Sequence, residues 1–329
     1  MHDVALIGAG RIGRIHAANI FHEPRLRLAA VVDPDTNAAV HLAERYGSKA
    51  TSLEPVFTDP SIKGVVIASS TDTHLDYTIR AAEAGKAVFC EKPLDQDLER
   101  ARAGAFRLDA LGARVLLGFN RRFDPHFAAL RERLRAGAVG SLETLHIISH
   151  DPAPPPIAYV RVSGGIFKDM VIHDFDMARW LLGEEPVELF AAASCLVDPA
   201  IGEAGDVDTA KTVLRCRSGR LGVISNSRRS GYGYDQRIEA FCAQGLIKAD
   251  NRLESTVSTW RADGMVSDML QNFFLERYAE AYRRELAHFV DILAGEASPL
   301  VTFEDGIAAL ALAEAAAASV RSAQPVRLG

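Results

Sequence analysis

The sequence predicts an α/β protein of two domains: a Rossmann-type doubly wound parallel sheet, then an α+β domain with a largely antiparallel sheet. Three observations carry that reading. Short apolar runs alternate with amphipathic stretches from residue 3 to about 119. A glycine-rich turn, Gly8-Ala9-Gly10-Arg11-Ile12-Gly13, joins the first run to the first amphipathic stretch. After Asn120 the alternation gives way to one helix and then a series of turn-punctuated strands. With 329 residues the chain can bury two cores, and the change of pattern divides it into 1–120 and 121–329.

The first-domain strands are Val4–Ile7, Leu28–Val32, Gly64–Ala68, Ala87–Cys90 and Val115–Gly118. Each is apolar on both faces, as a parallel sheet covered by helices on both sides requires. Ala38–Tyr46 and His74–Ala84 are amphipathic helices between them. Right-handed crossovers of such units give a doubly wound sheet. Past Asn120 a helix is expected over Pro125–Ala136 and a strand over Glu143–Ser149. Asp151–Pro156 holds four prolines in six residues, which confines it to a loop or an edge. Gly164-Gly165 precede a helix from Phe167 to Leu182. Val187 to Thr259 reads as a largely antiparallel sheet with turns such as Arg217-Ser218-Gly219-Arg220. Helices over Asn272–Leu293 and Phe303–Val320 close the chain.

Composition narrows the function. A net charge of −6 without a basic tail argues against a nucleic-acid partner. Ile307–Val320 is the longest apolar stretch, but it is Ala-rich and broken by Glu314, so it reads as a core helix and not a membrane span. Met1-His2-Asp3 runs directly into an apolar strand without a secretory pattern, and a cytoplasmic protein is expected. Cys90, Cys195, Cys216 and Cys242 lie far apart without metal-ligand spacing; reduced thiols and no metal are expected.

The glycine turn is a GxGxxG between a strand and a helix, the context a dinucleotide fingerprint demands. Gly8 permits the tight turn, Gly10 lets backbone approach a pyrophosphate, and Gly13 allows close helix–strand packing. The helix N-terminus adds N–H donors and a positive dipole end. Asp33 lies about 20 residues on, after the second strand, where a carboxylate meets ribose hydroxyls. Its charge repels a 2′-phosphate and Pro34-Asp35 supplies no arginine, so NAD is favoured over NADP.

Two further clusters point to chemistry. Glu91-Lys92-Pro93 follows the fourth parallel strand, and open α/β sheets bind ligands at the carboxyl ends of strands. In the helix beginning near Phe167, Asp169, His173 and Asp176 are spaced by four and three and share one face. Phe167, Val171, Phe175, Ala178 and Leu182 fill the others. The bland alternative is an N-terminal charge bias with a satisfied histidine. The chemical one is oxidation of a secondary alcohol, with His173 as base, Asp169 orienting it, and Lys92 stabilising alkoxide charge.

At these residues the chain resembles the large family containing glucose–fructose oxidoreductase and inositol dehydrogenase. In the first domain the likeness rests on Gly8–Gly13, Thr71-Asp72-Thr73-His74 and Glu91-Lys92-Pro93. In the second, Arg122-Phe123-Asp124-Pro125, Asp151–Pro156, Ser163–Leu182, Tyr232-Gly233-Tyr234-Asp235-Gln236-Arg237 and Phe274-Leu275-Glu276-Arg277-Tyr278 look specifically like the family's bacterial inositol 2-dehydrogenases. Asp72 departs from the family's usual Thr-Pro-Thr-His, and His150 stands where arginine is expected. The resemblance implies a catalytic set of Lys92, Asp169 and His173. It implies cofactor contacts by Gly8, Gly10, Arg11, Ile12, Gly13, Asp33, Ser70, Thr71, His74, Glu91 and Lys92. For substrate hydroxyls it implies Lys92, Arg122, Asp151, Asp169, His173, Asp176 and Tyr234. It further implies a polyol substrate, a homotetramer built on the second domain's sheet, and a last helix returning to the first domain. An aldose or another inositol isomer is the nearest rival substrate. A non-catalytic NAD-binding sensor is the rival of another class, disfavoured because Lys92, Asp169 and His173 are all present.

Overall fold

Strands too apolar to leave either face in water set the architecture of the first half. In the computed structural model, which describes residues 1–328, they are β1 (His2–Ile7), β2 (Leu26–Val32), β3 (Lys49–Ala50), β4 (Ile62–Ile67), β5 (Ala87–Glu91) and β6 (Val115–Gly118). They pair in parallel in the order β3-β2-β1-β4-β5-β6. The order reverses between β1 and β4, the switch point at which such sheets open a crevice beyond their carboxyl ends. The helices α1 (Arg11–His22), α2 (Thr36–Arg45), α3 (Leu53–Thr58), α4 (His74–Glu83) and α5 (Leu98–Ala110) connect them. The two-residue edge strand β3 is too short to leave a periodic signal and escaped the sequence reading. The chain folds as two compact units, Met1–Phe123 with Ala281–Leu310, and Asp124–Glu280 with the chain from Ala311 on.

The second unit is built on α6 (Pro125–Arg135), α7 (Ile157–Val160), α8 (Ile172–Leu182), α9 (Pro199–Glu203) and α10 (Phe274–Arg277) with a seven-stranded sheet. Its strands are β7 (Leu142–His150), β8 (Pro186–Ser194), β9 (Thr209–Cys216), β10 (Leu221–Ser227), β11 (Asp235–Cys242), β12 (Gly245–Ala249) and β15 (Val326–Arg327), in the order β12-β11-β7-β10-β9-β8-β15. All pair antiparallel except β7 with β10. Side chains alternate as a one-face-buried sheet requires: along β9, Ala210, Thr212, Leu214 and Cys216 are buried while Lys211, Val213 and Arg215 are exposed. The buried face receives α8, whose Phe175, Ala178 and Leu182 are buried. The sheet ends earlier than expected. Thr259 lies in a separate hairpin of β13 (Ser258–Arg261) and β14 (Gly264–Ser267), every residue of it exposed.

The expected helix over Asn272–Leu293 is two helices, α10 and then α11 (Ala279–Ala294), which Tyr278 separates. In the first unit α11 covers the parallel sheet: Phe289 packs at a tilt against Phe89 with ring centroids 5.8 Å apart. The last helix is α12 (Phe303–Ser322), whose Gly306 lies where a Cβ would come within 2.3 Å of Leu117. No helix among the described residues is long and apolar enough to cross a membrane. Cys90, Cys195, Cys216 and Cys242 are all free thiols.

Candidate active site

The three glycines of the first turn face three different environments. Gly8 has φ +107°, and a Cβ there would lie 2.3 Å from the Ala68 carbonyl oxygen. At Gly13 a Cβ would sit 2.0 Å from the Gly8 carbonyl oxygen. Both positions are closed by backbone, which cannot yield. At Gly10 a Cβ would meet no protein atom within 4 Å. Open space there, directly before α1, is what an approaching pyrophosphate needs. Gly10 is also the N-cap of α1 and, having no side chain, brings no side-chain cap of its own to the helix N-terminus. Asp33 braces the turn: Oδ2 accepts from Ala9 N–H at 2.6 Å and Oδ1 from Asp35 N–H at 2.8 Å. Its remaining lone pairs suit ribose hydroxyls and its charge opposes a 2′-phosphate. These residues fit NAD.

The carboxyl ends of β4 and β5 are tied together by His74. Its Nδ1 faces the Pro93 carbonyl at 2.8 Å and its Nε2 the Ser69 carbonyl at 3.2 Å. Burial opposes a charge on this imidazole, but the Cys90 sulfur and the two carbonyls outweigh it and raise the pKa to about 9. His74, expected among the cofactor residues, is buried and braces two strand-end loops. Ser70 and Arg11 are exposed, and Thr71 and Ile12 half-buried. Lys92 is half-buried in the loop that His74 holds. Glu91 packs below that loop, with Oε1 2.7 Å from Nε2 of the fully buried His16. Also buried in this unit is Glu285 of α11, whose carboxyl oxygens meet no hydrogen-bond partner.

In the second unit, Gly164 and Gly165, both at positive φ, turn the chain into a helix that opens with a π-turn over Phe167–Val171. Single π-turns concentrate at functional sites because they re-aim side chains. Here the π-turn carries Asp169, while His173 and Asp176 belong to the regular helix α8. The one-face argument from regular α-helical spacing therefore holds for His173 and Asp176 but not across the π-turn. Asp169 and His173 are half-buried and Asp176 is fully buried. Tyr159 Oη donates to Asp169 Oδ1 at 2.8 Å, and the Arg228 guanidinium lies 3.3 Å from Oδ2. The adjacent Asp174, also fully buried, accepts from Asn226 Nδ2 at 2.7 Å.

Taken with these two sites, the comparisons decide the family. Residues 2–119 match the oxidoreductase family, NAD-binding Rossmann fold, and 127–248 match the GFO/IDH/MocA C-terminal domain. An inositol 2-dehydrogenase of Rhizobium meliloti is 45% identical over 98% of each chain. The chain belongs to the GFO/IDH/MocA family. A myo-inositol 2-dehydrogenase of Thermotoga maritima is 46% identical over 99% of this chain and 98% of its own. The crystal structure of a myo-inositol dehydrogenase from Corynebacterium glutamicum superposes with a TM-score of 0.96 at 44% identity, covering 100% of this chain and 99% of that one. As a GFO/IDH/MocA member the protein is an NAD-dependent oxidoreductase.

The remaining candidates fall in different surroundings. Arg122, in the first unit, is buried and directs its guanidinium to Asp305 at 2.8 Å and the Leu300 carbonyl at 3.3 Å. Asp151 is half-buried directly after β7, its N–H bonded to the Ser227 carbonyl. Tyr234 is buried edge-on against Tyr278, centroids 6.0 Å apart. His150, the departure noted in the sequence, contacts Ser225 Oγ at 3.1 Å and lies 3.9 Å from Asp235; burial lowers its pKa. The sequence reading missed Tyr159, Asp206 and Arg228. No motif marks them, because Tyr159, on the short α7, and Arg228, beyond β10, meet Asp169 only through the fold.

Proposed function

We propose that this protein oxidises a secondary hydroxyl of a cyclic polyol, myo-inositol foremost, to the 2-ketone (scyllo-inosose) with NAD. The observation that carries the reading is likeness over nearly the whole chain to two named inositol 2-dehydrogenases. Two features support it: a turn shaped for a dinucleotide in one unit, and in the other a half-buried carboxylate on a π-turn that leads directly into the helix carrying a half-buried imidazole. When bound, NAD accepts the hydride. His173 takes the hydroxyl proton, Asp169 orients the imidazole and offsets its charge, and Lys92 stabilises the developing alkoxide. Asp151 and Tyr234 are assigned to substrate hydroxyls. The fork of Arg122 on Asp305 and the full burial of Asp176 favour supporting roles for that pair. Four free thiols suit the cytoplasm, where we place the enzyme.

The test is NADH formation with myo-, scyllo- and chiro-inositol and with glucose, myo-inositol giving the highest kcat/KM. His173→Ala lowers kcat about a hundredfold to ten-thousandfold and removes the rise of rate with pH near neutrality. A preference for glucose, or an unchanged pH rise in that variant, contradicts the substrate or the base respectively.

We also propose a homotetramer. On the open sheet face Phe190 is 39% and Phe241 53% exposed, with Val213, Leu221 and Leu246 also exposed, more apolar surface than a solvated sheet face carries. A tetramer mass by light scattering at micromolar concentration is expected, and a stable monomer refutes it.

A further inference from the structure

We propose that Arg228 is a positioning residue for catalysis: it clamps Asp169 and limits the negative charge that His173 experiences. This rests on the assignment of His173 as base and Asp169 as its partner. Arg228 directly follows β10 and is 1% exposed. Its Nη1 and Nη2 both lie 3.3 Å from Asp169 Oδ2, while the other carboxylate oxygen takes the Tyr159 hydroxyl. A second carboxylate, Asp206, stands 3.8 Å from Nη2 on the same guanidinium. Asp206 Oδ1 accepts the Ile166 N–H at 3.1 Å, just ahead of the π-turn that carries Asp169. The guanidinium thus binds the catalytic carboxylate and the group that caps its segment.

The arginine is itself held in place. Its N–H donates to the Asp208 carbonyl at 2.9 Å, and the Asp208 side chain accepts from the N–H groups of Leu196, Val197 and Asp198. Its Nε has no partner, so the side chain is spent on the two carboxylates alone. The one guanidinium thus faces two anions. A base near a bare pair of carboxylates would hold its proton to higher pH, because each nearby anion favours the imidazolium. Arg228 cancels part of that field and keeps His173 neutral, hence able to accept a proton, at lower pH. Lysine cannot reproduce the arrangement fully, since it is a point charge and not a planar fork.

The experiment is the pH profile of kcat/KM for polyol oxidation, run on wild type, Arg228→Lys, Arg228→Met, Asp206→Asn and His173→Ala. NAD affinity and melting temperature are recorded for each. Arg228→Met should move the rising limb up by about one pH unit and lower kcat about tenfold to a hundredfold, with NAD affinity unchanged. Arg228→Lys should keep the limb near its wild-type position and recover part of kcat. Asp206→Asn, which removes an anion, should move the limb the other way, to lower pH. Opposite shifts from the two sites are not expected of packing damage alone. A limb that stays put in both folded variants overturns the proposal. If Arg228→Met does not fold, Asp206→Asn with Arg228→Lys decides. If His173→Ala keeps the limb, the base assignment fails; the clamp is then judged on kcat, and wild-type kcat in Arg228→Met overturns it.

Discussion

Each unit buries carboxyl groups, and those of Glu285 in the first and of Asp208 and Asp235 in the second treat their protons in opposite ways. In the first unit Glu285 is pushed well above the usual carboxyl range, and the buried imidazole of His74 is raised to about 9. In the second, Asp208 and Asp235 shed theirs. Asp208 is lowered to about 2, burial being outweighed by the N–H groups of Leu196, Asp198 and Val197. Asp235 is lowered too, burial being outweighed by Arg237, Asn251 and Tyr232. The difference follows from where donors are left over. In a parallel sheet covered by helices, N–H groups are spent on ladders and helices, so a carboxyl such as Glu285 finds none. The loop between two of the second unit's strands carries unspent N–H groups that solvate Asp208, while Asp235 is met by the side chains of Arg237, Asn251 and Tyr232. His288, in the first unit, runs the other way, lowered by burial, and its Nε2 accepts from the Leu300 N–H.

The comparison breaks most visibly at Asp208. Oδ1 accepts from Leu196 N–H and the Thr209 hydroxyl, Oδ2 from Val197 and Asp198 N–H. In Asp208→Asn one oxygen becomes an NH₂ that faces at least one of those donors. A loss of about 3 kcal/mol at pH 7 is expected by urea denaturation. Because the folded pKa lies below its unfolded value, the carboxylate's contribution is present above about pH 4 and lost as pH falls toward 2. The wild-type advantage should therefore shrink at pH 3, and an advantage equal at pH 3 and pH 7 would contradict the account.

His74 sharpens the other side. Its raised pKa gives stability that is full below about pH 6.5 and lost as pH rises through 9. His74→Gln can serve only part of the two carbonyl acceptors. It should cost about 2 kcal/mol at pH 6 and clearly less at pH 9.5. A pH-independent cost would mean that the brace is packing and not charge.

How much of this was legible depended on range. The glycine turn, Asp33 and the five predicted strands of the parallel sheet were readable because each signal is local: a turn needs its glycines, and a doubly covered strand needs apolar residues throughout. The parallel pairing of β7 with β10 was not readable, since alternation reports which face is buried and not strand direction. The π-turn at Phe167–Val171 hid behind a sequence that suits an α-helix equally well. Arg228 stands 59 positions from Asp169 and resembles any charge at a strand end. Glu285 carries no signal of its own in the sequence, because nothing in Arg284-Glu285-Leu286 says which face meets the sheet.

Glu285 gives the smallest effect, and one of opposite sign. It lies on the face of α11 shared by Tyr282 and Phe289, three residues before and four after it, and both are buried. Burial is the main reason its proton is held, and the charge of Glu91 adds to it. The unfolded chain releases that proton near pH 4.5, whereas the folded chain must keep it. Stability therefore falls as pH rises from about 4.5 toward the folded value. Glu285→Leu removes both the desolvated carboxyl and the titration while keeping similar volume. It should raise stability by about 1–2 kcal/mol at pH 8, with the gain shrinking toward pH 4.5. Glu285→Gln removes the titration but keeps the unmet polar atoms, so it should gain less at pH 8 and nothing at pH 4.5. Urea midpoints of the three proteins at the two pH values give the answer. If Glu285→Leu is destabilised at pH 8, the carboxyl has a partner when folded, and the contrast between the two units loses its strongest case.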